Sequence, residues 1–120
     1  MNTVRLASAL GFLAVALGAF GAHGLRGKIA DPLLAIWQTG VLYHALHSVV
    51  LLALGLYERA TKVDVRAPAL AFTLGVLLFS GSLYALVLTG VTRLGMVTPF
   101  GGVCLLAGWL LTFVRLGREG

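Results

Sequence analysis

His44 and His47 stand three residues apart in the middle of residues 38–55, a membrane-length and largely apolar run. A polar ring is costly to bury in hydrocarbon, so a mid-span imidazole faces other helices, a wet cavity or a ligand. Several chemistries suit such a pair. Histidines three apart on a helix can approach one metal ion from the same side, which makes His44 and His47 candidate metal ligands. No Asp or Glu lies inside any apolar segment, so a closed site would need His23, Cys104 or a second subunit. Bis-histidine haem ligation needs imidazoles on opposite faces of the ring, which one helix cannot supply, so haem would require a dimer. Imidazoles that titrate near neutrality can also relay protons or contact a small solute. A catalytic variant would set His44 or His47 as base against Ser80, Ser82 or Tyr84 as nucleophile. Without an orienting carboxylate in the spans, the reading leans away from an enzyme. The structural alternative is interhelical hydrogen bonding by His and Ser, worth about 0.6–2 kcal/mol per bond.

These side chains act together only if helices bring them to one depth. At 100° per residue, Trp37, Gly40, His44, His47, Ser48, Leu51 and Gly55 fall on one face of a helix. Ser80 and Ser82 lie near the middle of the third apolar segment and Cys104 near that of the fourth, so a polar layer is expected. Its candidate members are His44, His47, Ser48, Tyr43, Ser80, Ser82, Tyr84 and His23. The last of these closes the small-residue cluster Gly18-Ala19-Phe20-Gly21-Ala22-His23-Gly24, which marks either close backbone approach to a ligand or, the favoured reading, the place where helix one crosses helix two.

Of the 120 residues 59% are hydrophobic and 11% charged, where soluble domains carry about 25% charged. The solvent is therefore lipid, and four spans are expected at about 3–22, 36–57, 67–90 and 95–115 in a single transmembrane domain covering 1–120. A net charge of +5 raises nucleic acid as a partner, but the basic residues sit at helix ends and in short loops, so none is expected. One cysteine excludes an internal disulfide and a multi-cysteine metal site.

Along the first segment Ala7, Gly11, Ala14, Gly18 and Ala22 draw a small-residue stripe, a surface that lets backbones approach. Its single charge, Arg5, stands at the start, so a cleaved signal peptide is the competing reading. Asp31-Pro32 reads as the start of helix two, with Asp31 as N-cap and Trp37 as an interface anchor. Thr98-Pro99 reads likewise for helix four, where Gly101, Gly102 and Gly108 offer a second close-packing surface. Four spans put both termini on one side. That side holds Arg5, Arg59, Lys62, Arg66, Arg115 and Arg118 against Arg26, Lys28 and Arg93 on the other, which marks the termini as cytoplasmic.

Four blocks in order, Gly18-Ala-Phe-Gly-Ala-His-Gly-Leu25, Trp37-Gln-Thr-Gly-Val-Leu-Tyr43-His44 with His47, Phe79-Ser-Gly-Ser-Leu-Tyr84, and Thr98-Pro-Phe-Gly-Gly102 with Gly108-Trp109, resemble the small membrane proteins grouped as domain of unknown function 423. Human transmembrane protein 256 is a relative of that group. The resemblance covers nearly the whole chain and implies a polytopic protein of the bacterial inner membrane, with no established activity and no assigned site. The expected architecture is all-α, an integral membrane four-helix bundle of antiparallel up-down topology that forms a homo-oligomer in the lipid bilayer. The expected function is a non-enzymatic membrane component whose His44/His47 face binds or passes a small ligand or proton, or only packs. No cofactor is expected under that reading; the alternative is a metal- or haem-binding redox-associated protein.

Overall fold

The computed structural model describes residues 2–118. Four long helices, α1 (Thr3–Phe20), α2 (Asp31–Thr61), α3 (Arg66–Thr89) and α4 (Thr98–Leu116), form an all-α bundle, and all four are long and apolar enough to cross a membrane. Their ends follow local chemistry. The Asn2 side chain accepts from the Arg5 amide at 3.1 Å and caps α1. Lys62 closes α2 in the left-handed conformation, and Asp64 accepts from the Arg66 amide at 2.9 Å to open α3. Gly90, at φ 74°, ends α3 where a side chain would be strained.

The register is antiparallel throughout. A Cβ on Gly55 would meet Val4, one on Gly11 Ser48 and one on Gly18 Val41, so the numbers fall along α2 as they rise along α1. Gly40 likewise faces Tyr84 while His47 faces Phe72, and Gly75 and Gly108 face Leu105 and Phe72. Lipid tails are as apolar as the helices, so burial from water cannot hold helix to helix, and close backbone approach with its dispersion contacts must. Among the described residues packing follows chain order, α1 on α2, α2 on α3 and α3 on α4. The inner pair is accordingly 39% buried in each span, against 22% for α1 and 17% for α4.

All seven residues expected on the inward face of α2 are buried. Three other expectations are corrected. The α1 stripe ends on Gly21 instead of Ala22, which is exposed: Gly21 follows Gly18 by three residues of regular helix and seats the Trp37 indole, and a π turn over Gly21–Leu25 begins only there, the Arg26 amide reaching back to the Gly21 carbonyl. Trp37 is no interface anchor: it is 1% exposed, and its indole N–H donates to the Leu17 carbonyl at 2.9 Å. Neither Asp31 nor Thr98 is an N-cap; Ala30 and Val97 hold those positions, and the Thr98 hydroxyl bonds the hydroxyl of Ser82.

Candidate functional site

The two histidines of α2 share a face yet meet different neighbours. His44 turns to α3, where its Nδ1 lies 2.9 Å from the Tyr84 hydroxyl. Tyr84 reaches it across Gly40, whose missing side chain leaves room: a Cβ there would stand 3.0 Å from Tyr84 Cε1. The tyrosine ring is backed by Trp37 at a centroid distance of 4.7 Å. At the same level the Ser80 hydroxyl donates to the Gly40 carbonyl at 2.6 Å, tying α3 to α2.

Counting donors assigns the tautomer. When Tyr84 donates to Nδ1 the ring proton sits on Nε2; the opposite tautomer would strand both the phenol proton and the Nε2 lone pair. His44 is 4% exposed, and its Nε2 has no hydrogen-bond partner. The Leu10 carbonyl of α1 bears on the ring but does not meet hydrogen-bond geometry with Nε2. An unpaired buried N–H costs about 1–3 kcal/mol. This one lies beside a cavity of about 190 Å³ between α1 and α3, with Leu10, Leu13 and Leu17 on one side and Leu77 and Gly81 on the other.

His47 has no such vacancy in its bonding. Its Nδ1–H donates to the Tyr43 carbonyl at 2.8 Å, and its Nε2 accepts from the Trp109 indole at 3.2 Å. Phe72 packs on the ring at 5.5 Å. With Tyr43 and Trp109 it lines a larger crevice of about 440 Å³ between α2 and α4, but both ring nitrogens are already engaged. Of the remaining candidates, Ser48 donates to the His44 carbonyl and Ser82 to the Phe79 carbonyl. Tyr43 turns its ring outward against Phe79, Cys104 is partly exposed, and His23 sits exposed on the π turn. The sequence reading passed over Trp37, Gly40, Gly81 and Trp109 as parts of a site. Trp37 and Gly40 carried a signal, standing two helical turns and one helical turn before His44 on the same face.

Residues 17–102 match the family described as Protein of unknown function (DUF423). The UPF0382 membrane protein YwdK of Bacillus subtilis (strain 168) is 46% identical over 109 residues, covering 85% of each chain. The UPF0382 membrane protein SERP0230 of Staphylococcus epidermidis is 43% identical over 102 residues, covering 85% of this chain and 84% of its own. The chain belongs to this family of bacterial membrane proteins. No solved structure matches it. The stretch matched by the DUF423 family holds His44, Tyr84, Gly40, Gly81 and Trp37, whereas Leu10, Leu13 and Trp109 lie outside it.

The donor set bears on metals. Among the described residues no three of His, Cys, Asp and Glu come together, and a metal on His47 would first displace Trp109 or Tyr43. The geometry instead makes His47 a tie between α2 and α4. A double-mutant cycle of His47→Leu and Trp109→Phe, followed by unfolding in mixed micelles, is expected to give a coupling of about 1 kcal/mol, within the range of interhelical hydrogen bonds in membranes. Additive losses would remove the tie.

Proposed function

We propose that this chain is a non-enzymatic membrane component that holds a small ligand at His44, between α1, α2 and α3. The observation that carries the reading is the His44 ring, which lines a cavity of about 190 Å³ and whose Nε2 is, among the described residues, the one buried side-chain nitrogen or oxygen without a hydrogen-bond partner. A packing histidine would resemble His47, with both nitrogens satisfied. Catalysis finds little support: the Ser80 and Ser82 hydroxyls bond backbone carbonyls and neither bonds a histidine, and although the Tyr84 hydroxyl does meet His44, no carboxylate stands in the spans to orient that imidazole as a base. Proton passage finds little either: beyond Tyr84 the next ring is Trp37, whose N–H is held by the Leu17 carbonyl. In the same reading the protein sits in the cytoplasmic membrane with both termini on the cytoplasmic side, and copies associate through the exposed faces of the outer helices.

Native mass spectrometry of the full chain released from lipid nanodiscs tests the reading. A bound small molecule is expected on the wild type and on His47→Phe, and its occupancy is expected to fall at least tenfold on His44→Phe, equivalent to about 1.4 kcal/mol. Equal occupancy of wild type and His44→Phe would refute it.

A further inference from the structure

Away from His44, at the end of the bundle where α1 begins, a cavity of about 330 Å³ opens between Asn2, Thr3 and Val4 on one side and Gly55, Glu58 and Arg59 of α2 on the other. Its depth follows from length. The apolar segment Thr3–Leu25 has 23 residues, about 34 Å of helix against a core of about 30 Å, so the first turn of α1 stands among the lipid headgroups. Three kinds of group face this space. The first is the start of α1: the Asn2 side chain takes the Arg5 amide and the Asn2 carbonyl the Leu6 amide, which leaves the Thr3 and Val4 amides unpaired among the described residues. Gly55 keeps the second of these clear, since a Cβ there would stand 2.9 Å from the Val4 nitrogen. The second is the Thr3 hydroxyl. Thr3 is 4% exposed, yet its hydroxyl bonds nothing among the described residues, and unlike His44 Nε2 that oxygen is not sealed off: the surface it keeps opens on the cavity. A hydroxyl so deeply placed is normally paired, so a partner in the cavity is called for. The third is a pair of opposite charges, Arg59 exposed at the rim and Glu58 half-buried, with its Oε2 accepting from the Val65 amide at 3.3 Å and its other oxygen open.

From these we infer that the cavity holds the headgroup of an aminophospholipid of the phosphoethanolamine type, its phosphate at the start of α1 and its ammonium at Glu58. The inference goes beyond the ligand-holding reading of His44 and is independent of it, since no residue lines both cavities. Two backbone amides, a hydroxyl and a guanidinium are all donors, and a helix N-terminus adds partial positive charge, so the group they suit is an anion with several oxygens. Glu58 would repel a bare anion. A phosphate that carries its own cation turns that repulsion into attraction. The cation is a primary ammonium, which offers three N–H donors to the open carboxylate oxygen, where a trimethylammonium offers none. The molecule is a lipid because the cavity continues into the bilayer. An apolar groove of about 270 Å³ runs deeper along the same two helices, past Gly11 and Val15 of α1 and Ala45 and Leu52 of α2. At 100° per residue Gly11 and Val15 share the face of Val4, and Ala45 and Leu52 that of Arg59, so an acyl chain can descend there from a headgroup held above.

Native mass spectrometry of the full chain in detergent micelles tests this by titration with phosphatidylethanolamine, phosphatidylcholine and phosphatidylglycerol of identical dioleoyl chains, with chain-free O-phosphoethanolamine as competitor. The wild type is expected to hold phosphatidylethanolamine roughly tenfold more tightly than either other lipid, the factor that one charge-assisted hydrogen bond supplies, and to keep it against the competitor. Glu58→Gln, which retains an acceptor for the Val65 amide, is expected to bring the ethanolamine and choline lipids level. Thr3→Val, which removes the hydroxyl at nearly the same shape, is expected to weaken all three. His44→Phe is expected to change none of this, so either site can fail without the other. Equal retention of the three lipids by the wild type, a preference for phosphatidylglycerol, displacement by O-phosphoethanolamine, or an ethanolamine preference that Glu58→Gln leaves intact would each overturn the assignment. The comparison of lipids on the wild type stands even if a variant does not fold.

Discussion

Gly101→Ala is expected to keep α3 and α4 from closing and to leave little monodisperse protein. In water a larger core residue forces side chains aside at about 1–3 kcal/mol, but here the obstacle is backbone. A Cβ on Gly101 would stand 2.7 Å from Phe79 Cα and 2.8 Å from the Leu78 carbonyl carbon, atoms that no rotamer change can move. The whole of α4 would have to back away, taking Leu105 off Gly75 and Gly108 off Phe72. Since lipid supplies no hydrophobic drive to bring the helices back, loss of this contact is loss of the α4 position itself. The comparison that isolates the cause is Gly81→Ala, the same residue change at mid-helix but in open space. That variant is expected to match or exceed the wild type by up to about 1 kcal/mol of helix propensity. Size-exclusion profiles and denaturation in mixed micelles read both, and equal behaviour of the two variants would show that backbone approach at Gly101 does not hold the bundle.

Which parts of this were legible in the sequence follows from how far each depends on a neighbour. The inward face of α2 was legible because it is a property of one helix: glycine, serine and histidine recur at its period, and all seven residues are buried. The π turn was not, since Gly21 and Ala22 are both small and only the seat of the Trp37 indole on Gly21 tells them apart; a Cβ there would come within 2.6 Å of it. Trp37 misled for a related reason. A tryptophan near a span end is read as an anchor, and whether it turns inward depends on finding an acceptor, here the Leu17 carbonyl twenty positions away in the chain. The two histidines were indistinguishable by spacing. They separate only through Tyr84 and Trp109, on helices whose rotation about their own axes no periodicity in α2 reports.

Trp37→Ala should then cost about 3–5 kcal/mol, the range for emptying a buried aromatic site, and should also remove whatever binding His44 supports. The stability loss has named parts. The indole packs edge-on to Phe20 at 5.7 Å and under Tyr84 at 4.7 Å, and its N–H is the bond that joins the end of α1 to α2. Deleting it leaves a void that the rigid π turn, with no side chain at Gly21, cannot fill. The loss of binding is a positioning effect, since Trp37 does not line the cavity beside His44. It backs the ring whose hydroxyl fixes the His44 tautomer, and without that backing Tyr84 is free to swing from Nδ1 and let the ring proton move. Trp37→Phe separates the two effects: it keeps an aromatic surface under Tyr84 and gives up the Leu17 bond. It is therefore expected to lose about 1 kcal/mol of stability, as one interhelical hydrogen bond would, while retaining the His44 Nε2–H resonance in nitrogen NMR. If Trp37→Phe kept its stability but lost that resonance, the indole N–H and not the ring surface would be what sets the tautomer, and the chain of contacts from Trp37 through Tyr84 to His44 would be wrong.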